Sequence, residues 1–91
     1  MFKVYPPRKM VRDGQEIEVF AVIVLRNFWE YFVMEKPDKD GVFLALVDGF
    51  ELEMGSVDFN EIKSHIMTVG SPNDSLAARN WAWKDEVCAT S

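Results

Sequence analysis

The sequence predicts one α+β domain over residues 1–91: an antiparallel sheet of about five strands, one main helix over about 59–67 on one face, and a C-terminal aromatic segment. Three observations lead there. The run VFAVIVL, residues 19–25, is continuously apolar and rich in β-branched side chains. Such a run cannot be satisfied on one side of a strand, so it predicts a central strand covered on both faces. Two Asp-Gly pairs, Asp13-Gly14 and Asp48-Gly49, stand between strand-like runs as hairpin signals. In VDFNEIKSHIM, Phe59, Ile62, Ile66 and Met67 fall on one helical stripe behind Asp58, and Glu61 follows three residues later as in a capping box.

The elements follow in order. FKVY, residues 2–5, reads as a short strand stopped by Pro6-Pro7. Asp13-Gly14 then joins two hairpin arms, the second continuing unbroken as a strand over 16–25, and Arg26-Asn27 turns the chain. FWEYFVME, residues 28–35, is aromatic and β-prone; KPDKDG is a turn; VFLALV, residues 42–47, and FELEM, residues 50–54, are the next strands. A two-residue turn at Asp48-Gly49 opposes Val47 to Phe50, Ala45 to Leu52 and Phe43 to Met54, making these six the main core face under the helix. Opposing Glu35 to Val42 sets Trp29, Tyr31, Val33, Leu44 and Leu46 beside Glu51 and Glu53 on the other face. A slip of one residue exchanges the faces. Beyond the helix, VGSPNDS reads as loop, LAARN as a helical turn, and the aromatic WAWKDEV needs cover.

Composition narrows the class. A hydrophobic content of 48% with seven Phe and three Trp supports a packed core in 91 residues. No apolar run approaches the roughly 20 residues that cross a bilayer, and Lys3 and Pro6-Pro7 interrupt any leader-like stretch, so a cytoplasmic protein without membrane contact is expected. Cys88 is the single cysteine, which excludes an internal disulfide, and His65 the single histidine, which excludes a two-His zinc site. The net charge of −5 is uneven: residues 1–12 hold Lys3, Arg8, Lys9 and Arg12 and no carboxylate. The remainder repels phosphate, so nucleic acid is disfavoured and a partner with a basic surface favoured. The basic end reads as an edge strand guarded against aggregation.

The segments WEYFVME (29–35), ALVDGFELEMG (45–55) and VDFNEI (57–62) together resemble a domain-of-unknown-function family of small prokaryotic proteins carried on plasmids, phages and other mobile elements. The shared positions are Trp29, Tyr31, Phe32 and Glu35, then Leu46, Val47, Gly49, Glu51, Glu53 and Gly55, then Glu61 and Ile62. The resemblance covers about a third of the chain and departs at both ends. It implies an α+β fold and a mobile-element setting, and no reaction.

Glu51 and Glu53, with Asp48 or Glu30 nearby, form a carboxylate set that could hold a divalent cation or serve as acid and base. Their alternation with Phe50, Leu52 and Met54 equally makes them the wet side of a strand, and that reading accounts for every residue. GSPNDS lacks the glycine and lysine spacing of a phosphate loop, and His65 lies at the flank of the helix stripe. The surface that asks for a partner is Trp29, Tyr31, Leu44 and Leu46 rimmed by Glu51 and Glu53. Its cover is the Trp81 and Trp83 tail, a second copy of the chain in a homodimer, or a protein partner. The function expected is a non-catalytic protein-binding accessory or regulatory module, an inhibitor or adaptor of a mobile element, needing no metal or cofactor. The alternatives are a small carboxylate-dependent hydrolase or metal-dependent enzyme, and a small-ligand binding protein.

Overall fold

The computed structural model describes residues 2–12, 15–72 and 82–83, folded as two antiparallel sheets and a short helix. Strands β1 (Arg8–Arg12), β2 (Gln15–Val19) and β8 (Ala82–Trp83) form a small sheet in the order β2-β1-β8. Strands β3 (Ala21–Leu25), β4 (Glu30–Val33), β5 (Val42–Asp48), β6 (Leu52–Asp58) and β7 (Ile66–Gly70) form the five-stranded sheet, in the order β6-β5-β4-β3-β7. Helix α1 (Phe59–Ile62) and a 3-10 turn (Lys63–His65) lie between β6 and β7. The α+β class and the five-stranded antiparallel sheet agree with the sequence. The Asp13-Gly14 pair, Trp81, Cys88 and the segment LAARN lie outside the described residues.

The long strand over 16–25 is two strands in different sheets. The chain bends at Phe20, whose N–H donates to the Val33 carbonyl (2.8 Å) and whose carbonyl accepts from Tyr5 N–H (2.9 Å). Neither Gly nor Pro marks the bend, and Val19 and Ala21 on either side of it are fully buried. β3 itself is buried along its whole length, as two-sided cover requires. Two further corrections concern the N-terminal end: FKVY forms no strand, and β1 is paired on both sides by β2 and β8 and so is no edge.

Each face of the large sheet has its own core. Between the sheets lie Met10, Ile17 and Val19 from the small one against Val22, Val24, Phe32 and Leu46 from the large one. On the opposite face, Ala21, Ile23, Leu25, Val33, Phe43 and Ala45 are covered by Phe2, Tyr5, Phe59, Ile62 and others. Phe2 meets the Phe43 ring edge-on at 5.2 Å and the Phe59 ring at 5.3 Å. Each fully buried Val, Leu, Ile, Phe or Met among them contributes about 1.5–3 kcal/mol.

The helix ends well before residue 67. Asp58 Oδ1 caps it by accepting from Asn60 N–H at 2.9 Å, but after one turn the chain becomes a 3-10 turn and then strand β7. Residues 66–69, Ile-Met-Thr-Val, favour strand, and the outer side of β3 offers them a ladder through Ile23 and Val24. The helical stripe misled because Phe59, Ile62 and Ile66 do all reach one core, the last of them from a strand.

The connection also shapes the sheet. Asp58 pairs with Val42 at one end of the outermost strand pair, while Ile66 pairs with Leu25 at the other end and near the other edge. Seven residues in helical form advance about 12 Å and the steps joining them to Asp58 and Ile66 add at most about 7 Å, whereas these opposite corners of a flat five-stranded sheet, about 19 Å apart across it and about 20 Å along it, are separated by about 28 Å. The sheet must therefore coil toward α1, and that face is concave.

The β5–β6 hairpin differs from a two-residue turn. Asp48 pairs with Leu52, Val47 with Glu53, Ala45 with Gly55 and Phe43 with Val57, so Gly49–Glu51 is a three-residue loop. Between β4 and β5, Tyr31 pairs with Val47 and Val33 with Ala45, one residue from the expected register. Both shifts are odd and both exchange faces. Phe50 leaves the core altogether, Leu52 packs toward the small sheet, Met54 is exposed, and Glu53 joins Tyr31 and Val47 on the concave side.

Candidate functional site

Trp29 is the centre of the rim where the concave face opens. It follows a tight β3–β4 connection in which Phe28 N–H donates to Leu25 O (2.8 Å), Leu25 N–H to Trp29 O (2.9 Å), and Trp29 N–H to Asn27 Oδ1 (3.1 Å). Arg26 N–H donates to His65 O at 2.9 Å, tying this loop to the chain entering β7. Phe28 adopts φ 69° there, a conformation that side-chain-bearing residues rarely hold, and is 67% exposed.

Because Glu30 pairs with Asp48, the β3–β4 and β5–β6 loops emerge at the same end of the sheet. The Trp29 indole lies on Gly49, where a Cβ would fall 2.7 Å from ring carbons. Gly49 is thus required for close approach, not for a positive φ, which among described glycines only Gly41 has. Beyond Gly49, the Phe50 ring stands at 81° to the Trp29 indole, centroids 5.2 Å apart, and is 93% exposed.

Three neighbouring cavities share Trp29. One of about 440 Å³ runs between Tyr31, Val47, Val57 and Ile62 and is edged by Glu53, Asp58 and Glu61. A second, of about 380 Å³, continues past Leu25 and Ile62 to Arg26 and His65. The third, of about 200 Å³, is the corner made by Trp29, Phe50, Val47, Glu51 and Glu53. The rim is therefore acidic on the β6 side and carries Arg26 and His65 on the β7 side. Partial burial raises the Tyr31 hydroxyl above its ordinary pKa of 10.0, keeping it a neutral hydrogen-bonding group in the cavity wall.

Of the six surface residues expected from the sequence, Trp29, Tyr31, Glu51 and Glu53 come together here. Leu44 and Leu46 do not. Leu46 is 7% exposed in the core between the sheets, and Leu44 shares its side of β5. Phe50, Asp58, Glu61 and Arg26 join the site without having been expected in it. The three-residue loop that expels Phe50 has no local sequence signal, since Asp48-Gly49 is itself the pair a two-residue turn would use.

The other candidates resolve simply. Glu30 is buried at 6% and has a partner, and Asp48 is half-buried in the ladder opposite it. No group of three or more His, Cys, Asp or Glu among the described residues could hold a metal ion. Arg8 is buried, and Lys9 lies 3.8 Å from Glu16 on the small sheet, so the basic end of the sequence is divided. No helix of the described residues is long and apolar enough to cross a membrane. Comparison with protein-family models, with curated proteins and with solved structures finds no match to this chain.

Proposed function

We propose that the protein is a non-catalytic binding module, an inhibitor or adaptor, that engages a partner protein of basic surface through the Trp29 rim. The observation behind this reading is Phe50: an aromatic ring 93% exposed, held against Trp29 and set beside Glu51 and Glu53. Covering such a ring on association contributes about 1.5–3 kcal/mol, and large aromatic anchors are common hot spots of interfaces. Carboxylates around the anchor, without an ion-pair partner among the described residues, steer a cationic partner and fix its register. The resemblance of the 29–62 region to mobile-element proteins fits an accessory role of this kind.

Capture from a host-cell extract, comparing the parent with Phe50→Ala and with Glu51→Gln/Glu53→Gln, tests it. A specific partner should be held by the parent, dissociate faster from Phe50→Ala, and associate more slowly and with less salt dependence in the double Gln variant. All three proteins should have folding stabilities within about 0.5 kcal/mol of each other, because the altered side chains are exposed. Equal capture by all three would sink the reading. The two larger cavities, about 440 and 380 Å³ and sharing Trp29, Tyr31 and Ile62, support a second reading as a small-ligand site. Thermal shift against a small-molecule panel, with saturable stabilisation lost in Tyr31→Ala, would favour it. A turnover abolished by the double Gln variant with capture intact would favour a carboxylate-dependent enzyme instead.

A further inference from the structure

The third cavity has a shape and a lining that the general proposal does not use. Trp29 and Phe50 meet at 81° with centroids 5.2 Å apart, so the two ring planes bound a corner. Val47 lies with them, and Glu51 and Glu53 line the same space of about 200 Å³. Among the described residues, neither carboxylate has a hydrogen-bond or ion-pair partner. No Lys, Arg or His among the described residues lines the corner.

Each feature selects the same chemistry. Aromatic faces carry negative potential and attract a cation within about 6 Å of the ring centroid. Two perpendicular faces act together only on a compact, nearly spherical cation, whereas a planar guanidinium stacks on one face at a time. The carboxylates supply countercharge, and Val47 offers an apolar surface to a methylene stem. From this geometry we infer that the Trp29–Phe50 corner receives the alkylammonium head of a lysine side chain, methylated or not, projecting from the partner protein. The inference rests on the binding-module reading and adds what the anchor point recognises.

The test follows the Trp29 indole N–H by NMR in protein labelled at tryptophan, with Trp29→Phe identifying its signal. Tetramethylammonium and Nα-acetyl-lysine methylamide should each shift that signal saturably at constant ionic strength. 3,3-Dimethylbutanol, whose tert-butyl group is the neutral counterpart of a quaternary ammonium head, should bind roughly three- to tenfold more weakly or not at all. Phe50→Leu and Glu51→Gln/Glu53→Gln, which keep fold and bulk, should each weaken tetramethylammonium by a similar factor. Equal binding of 3,3-dimethylbutanol, or no saturable shift with any cation, overturns the cation site.

A second arm addresses the source. Tetramethylammonium should compete with the captured partner, and acetylating the partner's lysines should release it. If the partner depends on Phe50 yet resists both treatments, the lysine assignment is wrong while the binding-module reading stands. If capture shows no dependence on Phe50 although tetramethylammonium binds, the lysine assignment falls together with that reading.

Discussion

Phe28 holds φ 69° while exposing 67% of its surface, so its backbone strain is not repaid by burial within this chain. Replacement by Asn, which tolerates the left-handed region, should therefore stabilise the fold by about 0.5–1 kcal/mol, seen as a higher urea midpoint at unchanged slope. If Phe28, next to Trp29, adds to the partner surface, the same variant should bind more weakly, so stability and capture move in opposite directions. At this scale much was legible: Trp29, Tyr31, Glu51 and Glu53 were singled out from the sequence and do meet at one rim. Leu44 and Leu46 failed because alternation tells which residues share a side of one strand but not which side of the next strand they join.

The 36–41 turn shows an element whose composition and structure agree. Asp38 Oδ1 accepts from the N–H groups of Asp40 and Val42, both at 2.9 Å, and Asp38 N–H donates to Val42 O at 2.9 Å. Gly41 takes φ 85° in a buried position, and its carbonyl accepts from Phe59 N–H at 2.9 Å, so this turn also seats the start of α1. Asp38→Ala should cost about 1–2 kcal/mol, since two backbone donors lose their acceptor. Gly41→Ala should cost about 1 kcal/mol or more, because Ala resists that φ. In a domain of this size either loss lowers the melting temperature by about 4–8 °C per kcal/mol, while Lys39→Ala, exposed in the same turn, should stay within about 0.5 kcal/mol. Such turns are legible because side chains encode them locally. Helix length was not, since residues 66–69 were claimed by the ladder of β3, a long-range competitor that no window of sequence contains.

The whole molecule depends on the bend at Phe20, where one continuous apolar run serves two sheets. The small sheet was illegible as a separate layer because the run has no punctuation at that point, and both halves need burial. Met10 and Val19 on the small sheet and Phe32 on the large one are all 0% exposed within a shared core. If that core is one cooperative unit, removing volume from the small sheet must loosen the large one equally. Met10→Ala deletes a fully buried side chain and should cost about 2–5 kcal/mol, a large share of the 5–15 kcal/mol typical of a domain. Native-state hydrogen exchange can follow amides on both layers of this variant, Met10 and Ile17 on one side and Phe32 and Ala45 on the other. A single cooperative core requires that the slowest amides of both layers lose the same free energy of opening. Loss confined to the β1–β2 hairpin, with Phe32 and Ala45 as protected as in the parent, would show that the five-stranded sheet stands alone. In that case the small sheet is a cover over its convex side, and the concave face with its Trp29 rim would keep its geometry without it.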